Sequence, residues 1–235
     1  MATSLPTYTG DQSSLVPPTG IALADALIVG SKWGTGPAGT GATLSFSFPA
    51  SLAVFDNRPN VAGNYNAQEV TGSGFANYLQ GFSGFNAAAQ TAAREVLAAF
   101  ARVANLTFTE VAADSVDAGA LRFASTAPPG LGATTYGVSS FPQDMAGAGD
   151  TWMNAAFLFP DGWVAGTQNF LTLLHEAGHA LGLKHPHDAG MGGNPGWPAT
   201  PVILAFTGTD TLNAQSTQTM VMAYNDSPGW RWLMA

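Results

Sequence analysis

Cysteine is absent from the 235 residues. No disulfide, no thiolate-held zinc and no thiol nucleophile can therefore be built, and cysteine usage says nothing about the redox compartment. Charge is scarce as well. Asp, Glu, Lys and Arg make up 9% of the chain, only seven residues are Lys or Arg, and the formal net charge is -8. Nucleic-acid binding needs a basic face to neutralise phosphates, and seven cations hardly make one, so no nucleic-acid partner is expected. Attraction to an anionic membrane surface is disfavoured for the same reason. No run approaches eighteen consecutive apolar residues, so no transmembrane helix is expected. The N-terminus lacks a basic stretch followed by an apolar one, so no ordinary secretory signal is read. Repeats of 20–50 residues, heptads and collagen-like triplets are missing too.

Apolar material is plentiful, at 46% hydrophobic residues. That is ample to offset the entropy of ordering and argues against a disordered chain. The length suits one sizeable domain, with two small ones as the alternative. Residues 1–19, with Pro6, Pro17 and Pro18, read as an extended or mobile leader resembling a propeptide remnant, and 20–235 as the folded domain. Thr19 is placed to cap a short helix over 21–29 that Gly30 ends. Residues 43–48 alternate (Leu44, Phe46, Phe48) as a half-buried strand does. From Asn86 to about residue 104 an Ala-rich amphipathic helix is expected, with Val96, Leu97, Phe100 and Val103 on its apolar stripe. Strands are expected at 106–111, 121–124 and 152–159, with loops over 127–150 around an edge strand near Tyr136. A second strong helix covers 167–181, and 186–218 reads as loop. Residues 57–86 show no clear period. Trp33, Trp152 and Trp163 are expected to be packing residues. Interspersed strands and helices favour an α/β or α+β sheet-and-helix domain.

The decisive stretch is 175–185, which reads H-E-A-G-H-A-L-G-L-K-H. On a helix, residues four apart differ by about 40° in azimuth and about 6 Å along the axis. His175 and His179 can thus aim two imidazoles at one ion from one face, and Glu176 can reach a metal-bound water without being a ligand. A continuing helix would carry His185 about 9 Å past His179, too far to share the ion. Gly182 removes that obstacle, because glycine can take positive φ, stop the helix and reverse the chain. His185 can then return as third ligand, and Pro186 suits a segment that is not helical. A bland reading, with surface or core histidines on an ordinary helix, must explain why three of the chain's four histidines fall on this pattern. His187 reads as a solvated loop residue, and Asp188 equally as a loop residue or as a carboxylate supporting a ligand imidazole.

This pattern is that of the metzincin metalloproteases. The sequence L-G-L-K-H-P at 181–186 resembles the serralysin branch, as does M-V-M-A-Y at 220–224, which is similar to the serralysin Met-turn. Residues 27–33 and 92–111 also look like the family's N-terminal helix and its helix-then-strand unit, so the resemblance spans roughly 21–225. It implies a metzincin-type zincin domain, with a twisted mixed β-sheet, two long helices and Zn2+ in the cleft. His175, His179 and His185 would be the zinc ligands and Glu176 the general base. Met222 would be the apolar floor beneath the metal. Tyr224 would be a displaceable further ligand whose hydroxyl stabilises the oxyanion. Ala223 departs from the Ser usual in the family. The implied reaction is hydrolysis of peptide bonds by a metal-activated water, with the polypeptide substrate extended along an edge strand, placed within 132–141.

Serralysins usually also carry a domain of Gly-Gly-x-Gly-x-Asp calcium repeats. No such repeat occurs here, so calcium stays a family expectation without a motif. The chain stops eleven residues after Tyr224, before the closing helix the family leads one to expect, which reads as truncation or as an unusually early end. The resemblance further implies a bacterial-type extracellular or cell-surface protease, with a protein inhibitor or prosegment as a conceivable restraint. Two competing expectations stand beside the active endopeptidase. One is a truncated or inactive zinc-binding fold serving as an interaction module, against which the intact Glu176 speaks. The other is a zinc hydrolase acting on something other than peptides.

Overall fold

The computed structural model describes residues 13–55, 75–112, 119–143, 147–186, 188 and 222. Strands β1 (Ser13–Leu15) and β2 (Ser31–Trp33) form an antiparallel pair flanking helix α1 (Ala22–Leu27). Then follow β3 (Ala42–Ser47), α2 (Phe75–Gln80), β4 (Phe82–Gly84), α3 (Ala87–Val103), β5 (Leu106–Glu110), β6 (Leu121–Thr126), β7 (Gly137–Ser139), β8 (Asp150–Asn154) and α4 (Gln168–Ala180). The main sheet runs β5-β3-β6-β8-β7, with β4 also paired to β6. Its β5–β3, β3–β6 and β6–β8 pairs are parallel, while β7–β8 and β4–β6 are antiparallel. Among the described residues this is a mixed α/β architecture, with a main sheet and four helices, and it is consistent with a metzincin-like fold. β7, the last strand of the path, is the only member of that path running antiparallel to its neighbour.

The two faces of the sheet follow from strand alternation. Leu44, Phe46, Leu121, Phe123 and Met153 face α3 and α4, meeting Ala89, Ala93, Val96, Leu97, Leu173 and Ala177 in the larger core. Ala124 and Trp152 face the other way, into a smaller cluster with Val54, Phe55 and Leu131. With both faces covered, β6 and β8 are buried along their whole length.

The long helices are bounded by side-chain caps. Asn86 accepts a hydrogen bond from Ala89 N at 2.9 Å and Thr167 one from Phe170 N at 3.4 Å, each cap contributing about 1 kcal/mol. Several expectations are corrected at the margins. Val103 is 84% exposed, because α3 ends there and turns its last residue to solvent. The strand expected over 152–159 starts at Asp150 and stops at Asn154, whose side chain accepts from Ala156 N and opens a 3-10 turn. Thr19 does not cap α1, which starts without a side-chain cap at Ile21; its hydroxyl instead donates to Asp25 Oδ1 at 2.7 Å. Three such donors (Thr19 Oγ1, Thr19 N and Gly20 N) hold the Asp25 carboxyl below the usual range, the Thr19 hydroxyl most of all. Residues 13–15 of the expected leader pair with β2. Among 57–86, where no period was legible, lie α2 and β4. Trp33, Trp152 and Trp163 are buried as expected.

Candidate metal centre

The end of α4 is shaped by Gly182. Leu183 N donates to Gly178 O at 2.9 Å and Gly182 N to His179 O at 2.9 Å, the paired 6→1 and 5→2 bonds of a Schellman stop. Gly182 sits at φ 102°, and a Cβ there would lie 2.7 Å from Ser31 O. Glycine is thus required twice over, for the left-handed backbone and for the close approach of β2. The reversal brings His185 back against the helix, as the spacing of Gly182 predicts.

His175, His179 and His185 converge through one atom each. Their Nε2 atoms are 3.0 Å (175–185), 3.1 Å (175–179) and 3.1 Å (179–185) apart, and all three side chains are buried. Two of the rings are oriented from behind. His179 Nδ1 lies 2.7 Å from Leu183 O, which can only accept, so Nδ1 carries the proton and Nε2 the lone pair. His185 Nδ1 lies 2.7 Å from Asp188 Oδ2, the same arrangement with a carboxylate. Of the two readings of Asp188, the supporting carboxylate is the one observed. Burial above all, and then the neighbouring His175 and His185, push His179 down to about 3, so its imidazole is neutral near pH 7. Phe141 meets the His179 ring edge-on at 5.4 Å.

With their Nδ1 atoms donating in this way, neutral His179 and His185 rings would present Nε2 lone pairs to each other and gain no hydrogen bond from their closeness. A cation among them would convert repulsion into ligation. Three nitrogens held at 2.0–2.1 Å by one tetrahedral zinc stand about 3.3 Å apart, close to the spacing here. Among the described residues, this is the group of His, Asp and Glu side chains whose ligand atoms converge within metal-binding range.

Glu176 is 5% exposed, and its Oε2 has no hydrogen-bond partner among the described residues. Burial pushes its carboxyl up to about 8, opposed by a hydrogen bond from Ser139. That hydroxyl lies on β7, 2.7 Å from Thr151 Oγ1 on β8. Two residues earlier, Gly137 passes so close that a Cβ would stand 2.8 Å from Glu176 Cγ. The edge strand expected within 132–141 therefore runs directly past the expected base. Met222 is 1% exposed, and its Sδ lies 2.6 Å from where a Cβ on Gly178 would be, so it packs on the face of α4 between the two helical histidines. Tyr224 and His187 lie outside the described residues.

Ser139 and Gly137 escaped sequence reading, since a Ser and a Gly in a Gly-rich loop carry no distinguishing pattern. Lys184 did too, although a lone cation in the apolar stretch 180–183 was a signal: it is fully buried, with Nζ donating to Ala26 O at 2.6 Å, Asp188 O at 2.7 Å and His185 O at 3.3 Å.

No family model matches the chain. Curated relatives do. Serralysin C of Dickeya chrysanthemi is 38% identical over 124 residues, 50% of this chain and 25% of the relative. Metalloprotease AprA of Pseudomonas entomophila is 37% identical over 120 residues, 48% and 24% of the respective chains. Serralysin of Proteus mirabilis is 28% identical over 172 residues, 68% and 31%. The chain spans 24–31% of the length of these relatives. Over about half of its own length, then, it is serralysin-like, similar in sequence to proteins that are metalloproteases.

Proposed function

We propose that this chain is the catalytic domain of a zinc-dependent endopeptidase. The observation that carries the proposal is the convergence of three histidine Nε2 atoms, 3.0–3.1 Å apart, beside a buried carboxylate with an oxygen that no described residue satisfies. The residues fit the metal: neutral nitrogen donors, two with their tautomers fixed by hydrogen bonds at Nδ1, and three protein ligands, as in catalytic zinc sites that keep a further position for water or substrate. When bound, zinc supplies a Lewis acid that acidifies water and polarises a carbonyl.

The protein's own groups do the rest. Glu176 takes a proton from water and returns it to the leaving amine, as a general base and then acid. Its raised pKa belongs to a site with no cation; a dication close by favours the carboxylate, the form a base needs. Ser139 holds the carboxyl group toward β7. That short edge strand offers its outer backbone to an extended polypeptide, beside Gly137, where the lack of a side chain lets strand and base come close. Tyr224 enters by resemblance alone, as a second donor to the developing oxyanion. An extracellular or cell-surface setting, and restraint by a prosegment or protein inhibitor, are further readings from the same resemblance.

The test is metal content measured beside casein cleavage, for the wild type and Glu176→Ala. About one zinc per chain in both, with cleavage by the wild type alone, is the expected outcome. Zinc in both with cleavage by neither would favour a binding fold without turnover, and a folded wild type that takes up no zinc would overturn the proposal.

A further inference from the structure

Lysine is almost never fully buried unless its charge is answered, and Lys184 is 0% exposed one residue before the third histidine. Its ammonium donates to three backbone carbonyls drawn from two distant parts of the chain. Ala26 O belongs to α1; His185 O and Asp188 O belong to the turn that carries the third imidazole and its supporting carboxylate. The same turn is closed by Asp188 N donating to His185 O at 3.1 Å. By gathering these carbonyls, the ammonium fixes the backbone from which Asp188 reaches His185 Nδ1.

The stretch around Lys184 is also zipped to the N-terminal unit. Trp33 Nε1 donates to Ala180 O at 2.8 Å, serving a carbonyl that the helix end leaves without an intrahelical partner. Val29 N donates to Gly182 O at 2.9 Å, Ile28 and Leu183 form an antiparallel bridge, and Lys184 N donates to Leu27 O at 2.6 Å. Residues 180–184 therefore lie on residues 26–33 as on a template. His175 and His179 are fixed by their own helix, but His185 has no such support. Its position is inherited from this contact.

We propose that Lys184 is a positioning residue for the third histidine, pinning the 185–188 turn to the N-terminal unit so that metal retention and the docking of residues 26–33 are coupled. The inference rests on the zinc reading above. Coupling of this kind is reciprocal: if the docked unit holds His185 in place, a metal held by His185 must in turn stabilise the docking.

The experiment uses the full chain, as wild type and as Lys184→Met, which keeps the stem and removes the donors. Bound zinc is counted, its release to a chromophoric chelator is timed, and backbone hydrogen exchange over 26–33 is followed with and without zinc. The wild type should hold zinc and exchange more slowly at Val29 when loaded. K184M should release zinc about 10–100-fold faster, the range seen when groups behind metal ligands are removed, and lose the zinc-dependent slowing. A merely structural lysine would lower stability without moving either readout, and unchanged release with unchanged protection overturns the inference while leaving the zinc reading intact. Should K184M not fold, the wild type decides alone, since zinc binding that leaves exchange over 26–33 unaltered also overturns it. A wild type that binds no zinc overturns both, and is recognised by the metal count.

Discussion

Two groups of charged and polar side chains are buried here, and they are opposites. On the sheet, Arg122 of β6 and Asp150 of β8 are register partners joined by two bonds of 2.6 Å, with both side chains 0% exposed. Arg122 Nη1 also donates to Val54 O at 2.9 Å, and its guanidinium lies 4.6 Å from the Phe55 ring centroid. Every one of these contacts is internal to the protein. On α4 and the turn after it, Glu176 keeps an oxygen without a partner among the described residues, and three imidazole Nε2 atoms converge within 3.1 Å. Burial of ionisable groups is common to both, so burial alone does not mark a functional site. What separates them is whether the protein answers its own polar groups. The first cluster closes on itself and belongs to the fold; the second is left open among the described residues, which is what the proposed metal would complete.

The contrast can be broken from either side. The largest effect is expected at Glu176: its replacement by Gln or Ala should lower kcat about 10²–10⁴-fold, as for loss of a general base, in a casein assay at full zinc loading. Fold stability should respond in the other direction. In the zinc-free protein, a carboxyl raised to about 8 binds protons that the unfolded chain has already released, so its contribution to stability falls as pH rises from about 4.5 to about 8. The stability of E176Q minus that of wild type, from urea melts with a chelator present, should therefore grow across this window; a flat difference would contradict the burial of an ionisable Glu176. At the closed cluster, Asp150→Asn leaves a buried guanidinium unmatched and should cost about 3–5 kcal/mol of stability, while zinc bound per folded molecule stays the same.

Smaller effects sharpen the line between the two. Gly182→Ala forces a left-handed conformation on a Cβ that also meets Ser31 O, and should destabilise by about 1–3 kcal/mol or more. It should weaken zinc binding as well, because the helix stop delivers His185; loss of stability with full zinc affinity would separate the stop from the site. Asp188→Asn keeps the shape but weakens the support of His185, and about tenfold weaker zinc binding is expected by competition titration. The smallest effect belongs to the exposed pair Arg94–Glu110, 2.7 Å apart. Its hydrogen bond to Arg94 holds Glu110 below the usual range, so its contribution is present above about pH 4.5 and lost as pH falls through the lowered value. Glu110→Gln should change stability by less than about 1 kcal/mol at pH 7 and by nothing measurable in strong acid.

Legibility in the sequence followed the same division. Helices α3 and α4 and strand β3 were readable because their apolar spacing is set by local geometry, and Asn86 and Thr167 announced the two long helices. The histidines were readable because two imidazoles one helical turn apart and a third after a glycine-reversed continuation need fixed offsets. What stayed hidden depends on contacts between distant segments. Nothing near Lys184 in sequence reveals Ala26 O, and nothing near Gly137 reveals Glu176. Val103 matched the stripe of α3 by period and yet faces solvent, because it is the last residue of that helix. β4, three residues long, was invisible for lack of length, since a period of two needs more than one repeat to be seen.

The shortness of β7 bears on a different property. A strand at the edge of a sheet offers a row of backbone donors and acceptors to any passing chain, and long flat edges invite one copy to pair with the next. β7 extends over three residues, Gly137–Ser139, before Ser140 N turns back to bond Asp150 O. Such an edge is too short to nucleate a growing stack of strands. The strand can lie at the sheet's margin, beside Glu176, without inviting the protein's own aggregation.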